Sequence, residues 1–142
     1  MRSLLDVNVL VALHDSRHAH HLVAATWFQA HLEQGWASCP ITQNGCLRVL
    51  SQPGYTQPLS VADALAKLQR SVATPSHAFW PDAISLLDAA NVQHAQVHGP
   101  RQLTDIYLLA LAVHHGGRLV TLDQRIPLTA VHGATPDHLV VL

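Results

Sequence analysis

The sequence predicts an α/β fold of layered type, with a central and mostly parallel sheet. Short apolar runs at Ser3–Asp6, residues 36–39 and Arg118–Leu122 read as buried strands. Stretches with apolar residues at helical spacing separate them, and Gly35, Pro40 and Gly116–Gly117 stand where one element gives way to the next. Alternation of strand and helix implies parallel strands joined by crossover helices, and ligands in such sheets collect beyond the strands' carboxyl ends.

Taken in order, Ser3–Asp6 is a strand, and VNVLVALHD starts a helix at its carboxyl end, which puts Asp6 on the sheet's rim. From His18 to Glu33, Leu22, Ala25, Phe28 and Leu32 recur at helical spacing until Gly35. Residues 36–39 give the second strand, and Pro40 opens a helix over ITQNGCLRVLSQ. Pro53, Gly54 and Pro58 mark a loop, after which Ser60 caps a helix that runs through LAKLQRSV, with Asp63 completing the capping box. His77–Trp80 is read as a third strand, Pro81–Ala90 as a short helix and residues 98–101 as a turn. A helix from Leu103 to His115 is the best defined, and His138–Leu142 supplies the last strand.

A length of 142 residues suits a single domain over 1–142, and 49% hydrophobic content suits a globular one. Eight Lys and Arg against nine Asp and Glu leave no basic body, so contact with nucleic acid has to come from local arginines. Cys39 and Cys46 are too few for a secreted disulfide framework and read as reduced structural residues. No run has the length of a membrane span, and the apolar N-terminus is broken by Asp6 and Asn8; a cytoplasmic protein is expected. The histidines, His14, His18, His20 and His21 among them, lack the spacing of a zinc site and are read as surface or helix-start residues.

Of the nine carboxylates, Asp6, Asp105 and Asp123 sit where apolar elements run out. Charge in such surroundings must be hydrogen-bonded, capped or offset by a cation. Each has a structural explanation of its own: Asp105 stabilises a helix N-terminus, Asp123 ends a strand in a turn, and Asp6 binds neighbouring amides. Their joint occurrence at one predicted rim favours a shared role, with side-chain oxygens converging on one point. Mg²⁺ takes oxygen ligands, typically one or two carboxylates with waters and substrate phosphates, and phosphodiester hydrolysis is the chemistry that follows.

The chain resembles the PIN-domain ribonucleases, and within them the VapC toxins of toxin–antitoxin pairs. The resemblance rests on LLDVNVLVAL at 4–13, HAHHLVAATWF at 18–28, PITQNGCLRVL at 40–50 and TDIYLLALAVHHGGRLVTLD at 104–123, in that order. It implies a three-layer α/β/α PIN-like fold and an endoribonuclease dependent on Mg²⁺ or Mn²⁺, with Asp6, Asp105 and Asp123 as metal ligands and catalytic acids. It also implies an RNA substrate, a homodimer and a VapB-type antitoxin as partner. The sequence departs from the family at one point: many members carry a glutamate early in the helix after the second strand, where this chain reads Thr42-Gln43-Asn44-Gly45. Gln43, Asn44 and Gly45 are all candidates for that position, and its loss removes one charge from the site.

Asn8 and Asn44 are candidates to position a water or a phosphate. Arg48, Arg101, Arg118 and Arg125 are candidates to line an RNA groove, Arg48 first because its helix enters the site. Asp15, Asp63, Asp82 and Asp137 are assigned to caps or turns, Glu33 and Asp88 to solvated helix faces, and Trp36 and Trp80 to the core. Two other functions compete. A degenerate PIN module would bind RNA or a partner without cleaving, as the missing glutamate suggests. A haloacid-dehalogenase-type phosphatase would need a second acid where Asn8 stands and a later catalytic lysine, whereas Lys67 is the only lysine.

Overall fold

The computed structural model describes all residues, Met1–Leu142. In chain order they form β1 (Ser3–Leu5), α1 (Val7–His14), α2 (His21–His31), β2 (Trp36–Ser38), α3 (Pro40–Ser51), α4 (Val61–Val72), β3 (His77–Phe79), α5 (Leu103–His114), β4 (Arg118–Thr121) and β5 (Leu139–Val141). The strands lie side by side in the order β3-β2-β1-β4-β5, every pair parallel. Parallel strands need crossovers, which put helices on both faces, and the central strands are accordingly apolar on both sides. Leu4, Ala37 and Leu119 face α5, whose residues 106–112 are all buried. Leu5, Trp36 and Val120 face the layer built from α1, α2, α3 and α4.

Local chemistry sets the ends of these elements. Pro40 occupies the first turn of α3, where its missing N–H costs nothing, and Ser60 caps α4 by accepting from the Asp63 amide at 3.0 Å. Gly116 takes φ 65° just past α5 and lets the chain reverse into β4. Cys39 and Cys46 are free and buried, and burial pushes the Cys46 thiol up to about 12, so it behaves as a small apolar group.

Several expectations from the sequence change. Residues 81–90 form no helix, because Ser85 and Asp88 turn their side chains onto the amides of Leu87 and Ala90 at 3.1 and 2.9 Å and hold the backbone in turns. Asp88 is therefore a turn residue, Ile84 and Leu86 pack on the core, and Leu87 is left 88% exposed. In α2 Ala24 is fully buried and Trp27 and Phe28 pack against the core, as does Leu32 just beyond the helix, while Leu22, two positions from Ala24 and so rotated by about 200° about the axis, is 77% exposed. His21 starts this helix later than predicted and fixes its rotation by bonding the Ala12 carbonyl at 2.7 Å. His14 is a half-buried strut: one ring nitrogen donates to the Leu10 carbonyl at 2.7 Å and the other meets the Ser71 hydroxyl of α4 at 2.6 Å.

The crossing of α1 and α3 depends on Gly45. A Cβ there would stand 2.5 Å from a methyl of Val7, closer than real contacts allow. Gly45→Ala should destabilise the fold by about 1–3 kcal/mol in urea denaturation, and Val7→Ala in the same chain should recover part of that loss; additive costs would show that the two residues do not collide.

Candidate active site

The register of β1 against β4 builds the site. Leu5 pairs with Val120, and the next residue on each strand is Asp6 and Thr121, whose side chains by alternation face α5 as Leu4 and Leu119 do. Asp6 closes the strand with its amide on the Val120 carbonyl at 3.0 Å and caps α1, one carboxylate oxygen accepting from the Val7 amide at 2.7 Å. The other oxygen accepts the Thr121 hydroxyl at 2.6 Å. Asp105 enters from the first turn of α5, and Asp123 from the loop after β4, where its amide bonds Thr121 at 3.0 Å and its carboxylate accepts from the Arg125 amide at 2.8 Å. The crossover from β1 runs toward β2, and the chain leaving β4 runs toward β5. The acids thus stand where the strand order reverses, the usual place for a ligand in an open parallel sheet.

The electrostatics are those of crowded negative charge. Asp6 is only 6% exposed, and burial raises its pKa, with the charge of Asp123 adding, against the hydrogen bonds from Thr121 and Val7 that pull it down. Asp105 is pushed up to about 6, first by partial burial and then by the charges of Asp6 and Asp123. Both of the charges that act on Asp105 are negative. The acids are neighbours, yet no three His, Cys, Asp or Glu side chains stand closed around a common point as ready metal ligands would, so convergence is looser than the sequence suggested. Mutual repulsion of carboxylates accounts for such spacing. The donor chemistry, all oxygen and all negative, suits a hard divalent cation.

The remaining candidates are placed unequally. Asn8 joins the cluster: its amide nitrogen donates to Thr121 at 3.3 Å and its carbonyl accepts from the Leu122 amide at 3.1 Å. Arg101 and Arg125 are exposed, one in the turn that leads into α5 and the other two residues past Asp123. Arg48 lies in the last turn of α3, about 12 Å along the helix from the rim where it begins, and is not brought to the acids. Arg118 is at the other end of β4, donating to Ser3 at 3.0 Å and Gln34 at 2.8 Å with its guanidinium over Trp27; its role is structural. In the segment without an acid, Gly45 is closed off by Val7, Asn44 is exposed, and Gln43 donates to Ser38, which in turn meets His77. The sequence reading missed Thr121, which as a strand threonine carries no signal apart from its place two residues before Asp123.

A parallel α/β sheet with carboxylates gathered at its switch point is the architecture of the PIN domain, and the PIN-domain model matches residues 3–131. The chain belongs to the PIN-domain family. Within it, the chain is 54% identical over 142 residues to ribonuclease VapC44 of Mycobacterium tuberculosis, covering 100% of both proteins. It is 40% identical to ribonuclease VapC39 of the same organism, over 94% of this chain and 96% of that protein. Among solved structures it resembles VapBC2 of Rickettsia felis bound to a DNA fragment from the promoter, with a TM-score of 0.61, 13% identity and coverage of 100% of this chain and 98% of that one. It also resembles the sarcin–ricin-loop-cleaving toxin VapC20 of M. tuberculosis, with a TM-score of 0.59, 13% identity and coverage of 82% and 85%. These two likenesses show the fold.

Charge crowding at Asp105 has a measurable sign. Its pKa is near 6 in the folded chain against 3.8 for the free side chain, so the ionised carboxylate destabilises the metal-free fold. The penalty is complete above the folded value and disappears as pH falls through the window toward 3.8. In chelator-treated protein, Asp105→Asn should raise stability at pH 7.5 by about 1 kcal/mol after solvent screening, and the gain should shrink to nothing by the acid end of that window. A variant that melts with the wild type at both pH values would show the acids to be uncoupled.

Proposed function

We propose that this protein is an endoribonuclease, the toxin of a type II toxin–antitoxin pair, and that Asp6, Asp105 and Asp123 hold a divalent cation, Mg²⁺ or Mn²⁺, at the β1–β4 crevice. The observation that carries this reading is the uncompensated negative charge there, in a chain alike over its whole length to proteins named ribonucleases. When bound, the cation neutralises the carboxylates, activates a water and stabilises charge on the phosphate.

Each acid contributes through how it is held. Asp6 is fixed by two hydrogen bonds, so it meets a ligand without rearranging its backbone. Asp123 hangs on a loop tied to Thr121, and Asp105 is presented by the first turn of a buried helix, so these two draw in as repulsion is removed. Asn8 holds the exit of β4 against α1 and keeps a second amide hydrogen for a water or phosphate oxygen. Asn44, exposed on α3, is the other polar group proposed to meet the phosphate. Arg101 and Arg125, flanking Asp105 and Asp123, supply the cations for an RNA backbone.

The relatives support the partners. VapBC2 is a VapB–VapC pair, and VapC20 is named for cleaving the sarcin–ricin loop, a folded RNA. We take a VapB-type antitoxin as the partner here, with a homodimer as the working assembly in the cytoplasm. No helix is long and apolar enough to cross a membrane.

Incubation of the purified protein with structured RNA, with mapping of the 5′ and 3′ ends, tests the reading. Internal cuts should appear with Mg²⁺ or Mn²⁺, stop with chelator, and fall at least 100-fold in Asp105→Asn. RNA retained without cuts, with wild type and variant alike, would favour the non-cleaving module that the missing acid at 42–45 suggests. Turnover of a small phosphomonoester with none on RNA would favour a phosphatase.

A further inference from the structure

Thr121 is the last residue of β4 and is fully buried, yet its hydroxyl is the most connected side-chain atom of the acidic cluster. It lies 2.6 Å from a carboxylate oxygen of Asp6, 3.3 Å from the amide nitrogen of Asn8 and 3.0 Å from the backbone nitrogen of Asp123. A hydroxyl offers one proton and two acceptor positions. Both nitrogens are donors, so they occupy the acceptor positions, and the proton can go only to Asp6. The neighbours therefore fix the direction of the O–H bond.

We propose that Thr121 is the positioning residue of the acidic cluster: its hydroxyl sets the orientation of the Asp6 carboxylate and, through the same oxygen, the register of Asp123 and Asn8 against it. This rests on the reading of Asp6, Asp105 and Asp123 as metal-holding acids. Val7 takes the other oxygen of Asp6, so each oxygen has one protein partner and keeps a lone pair for a ligand. One atom thereby joins the end of β1, the first turn of α1 and the exit of β4. Without it, three groups lose a partner at once, and a buried carboxylate oxygen is left unsatisfied. The arrangement matters more in a chain that has no acid at 42–45 to share the ligand work, because orientation of the remaining acids then decides affinity.

A packing role and a positioning role for Thr121 rank substitutions in opposite orders. Thr121→Val keeps the methyl volume and removes the hydroxyl, whereas Thr121→Ser keeps the hydroxyl and removes the methyl. With Mn²⁺ alone in calorimetric titration, Thr121→Ser should bind within about threefold of wild type, and Thr121→Val should bind about 10–100-fold more weakly, the usual cost of losing a group that orients a ligand. If the valine variant does not fold, Thr121→Ala against Thr121→Ser gives the same comparison, since both lack the methyl and only serine has the hydroxyl. Equal Mn²⁺ affinity of the hydroxyl-bearing and hydroxyl-free variants, with wild type binding normally, overturns the positioning role alone. Failure of wild type to take up Mn²⁺ overturns the metal reading and this role with it.

Discussion

Negative charge packed into the crevice between β1 and β4 is the constraint to which the rest of the molecule answers. Side chains alternate along a strand, so placing Leu4 and Leu119 against α5 obliges Asp6 and Thr121, two residues further on, to face the same helix. The core and the site are set by one register. A slip of one residue would turn Asp6 toward the α1 side and bring Leu5 to the α5 side, losing both at once. The register that sets the site is therefore the one held by the continuous burial of residues 106–112 of α5 on the sheet.

That packing has a purpose in energy terms. Burial and like charge raise the pKa of Asp6 and Asp105, which means the ionised cluster works against the folded state. The apolar layers on both faces hold the strands in place despite it, with helices crossing closely enough that Gly45 admits no side chain against Val7. The frame fixes Asp6 through its two hydrogen bonds, while Asp105 in a helix's first turn and Asp123 on a loop stand apart from it under mutual repulsion.

The departure from other PIN-domain chains takes a definite form in the structure. The segment Thr42-Gln43-Asn44-Gly45 does not offer a substitute acid, because Gly45 is needed for the helix crossing and Gln43 is drawn into a line of hydrogen bonds through Ser38 to His77. The first turns of α3 serve the packing of α3 and β3 on β2. The carboxylates at the crevice are then Asp6, Asp105 and Asp123, with Thr121 and Asn8 hydrogen-bonded among them.

Much of this was legible before any coordinates. Apolar runs and helical spacing locate the strands and five main helices, Gly and Pro locate their ends, and the three aspartates at the ends of apolar elements are the ones that the fold brings near one another. Misreadings arose where side chains compete with the backbone, as at Ser85 and Asp88, or where a helix's rotation is set from outside, as in α2 by His21. The sequence ranks Arg48 ahead of Arg101, Arg118 and Arg125, and only the direction of each element shows that Arg48 and Arg118 lie far from the rim. By itself the sequence determined which residues are apolar, which carry charge and where the chain can turn, because those are properties of single side chains and near neighbours. The tertiary structure alone decided that β4 lies beside β1, 113 positions apart at Asn8 and Thr121, and so which carboxylates share one field. Strand pairing at that separation is fixed by the whole core, and no local pattern encodes it.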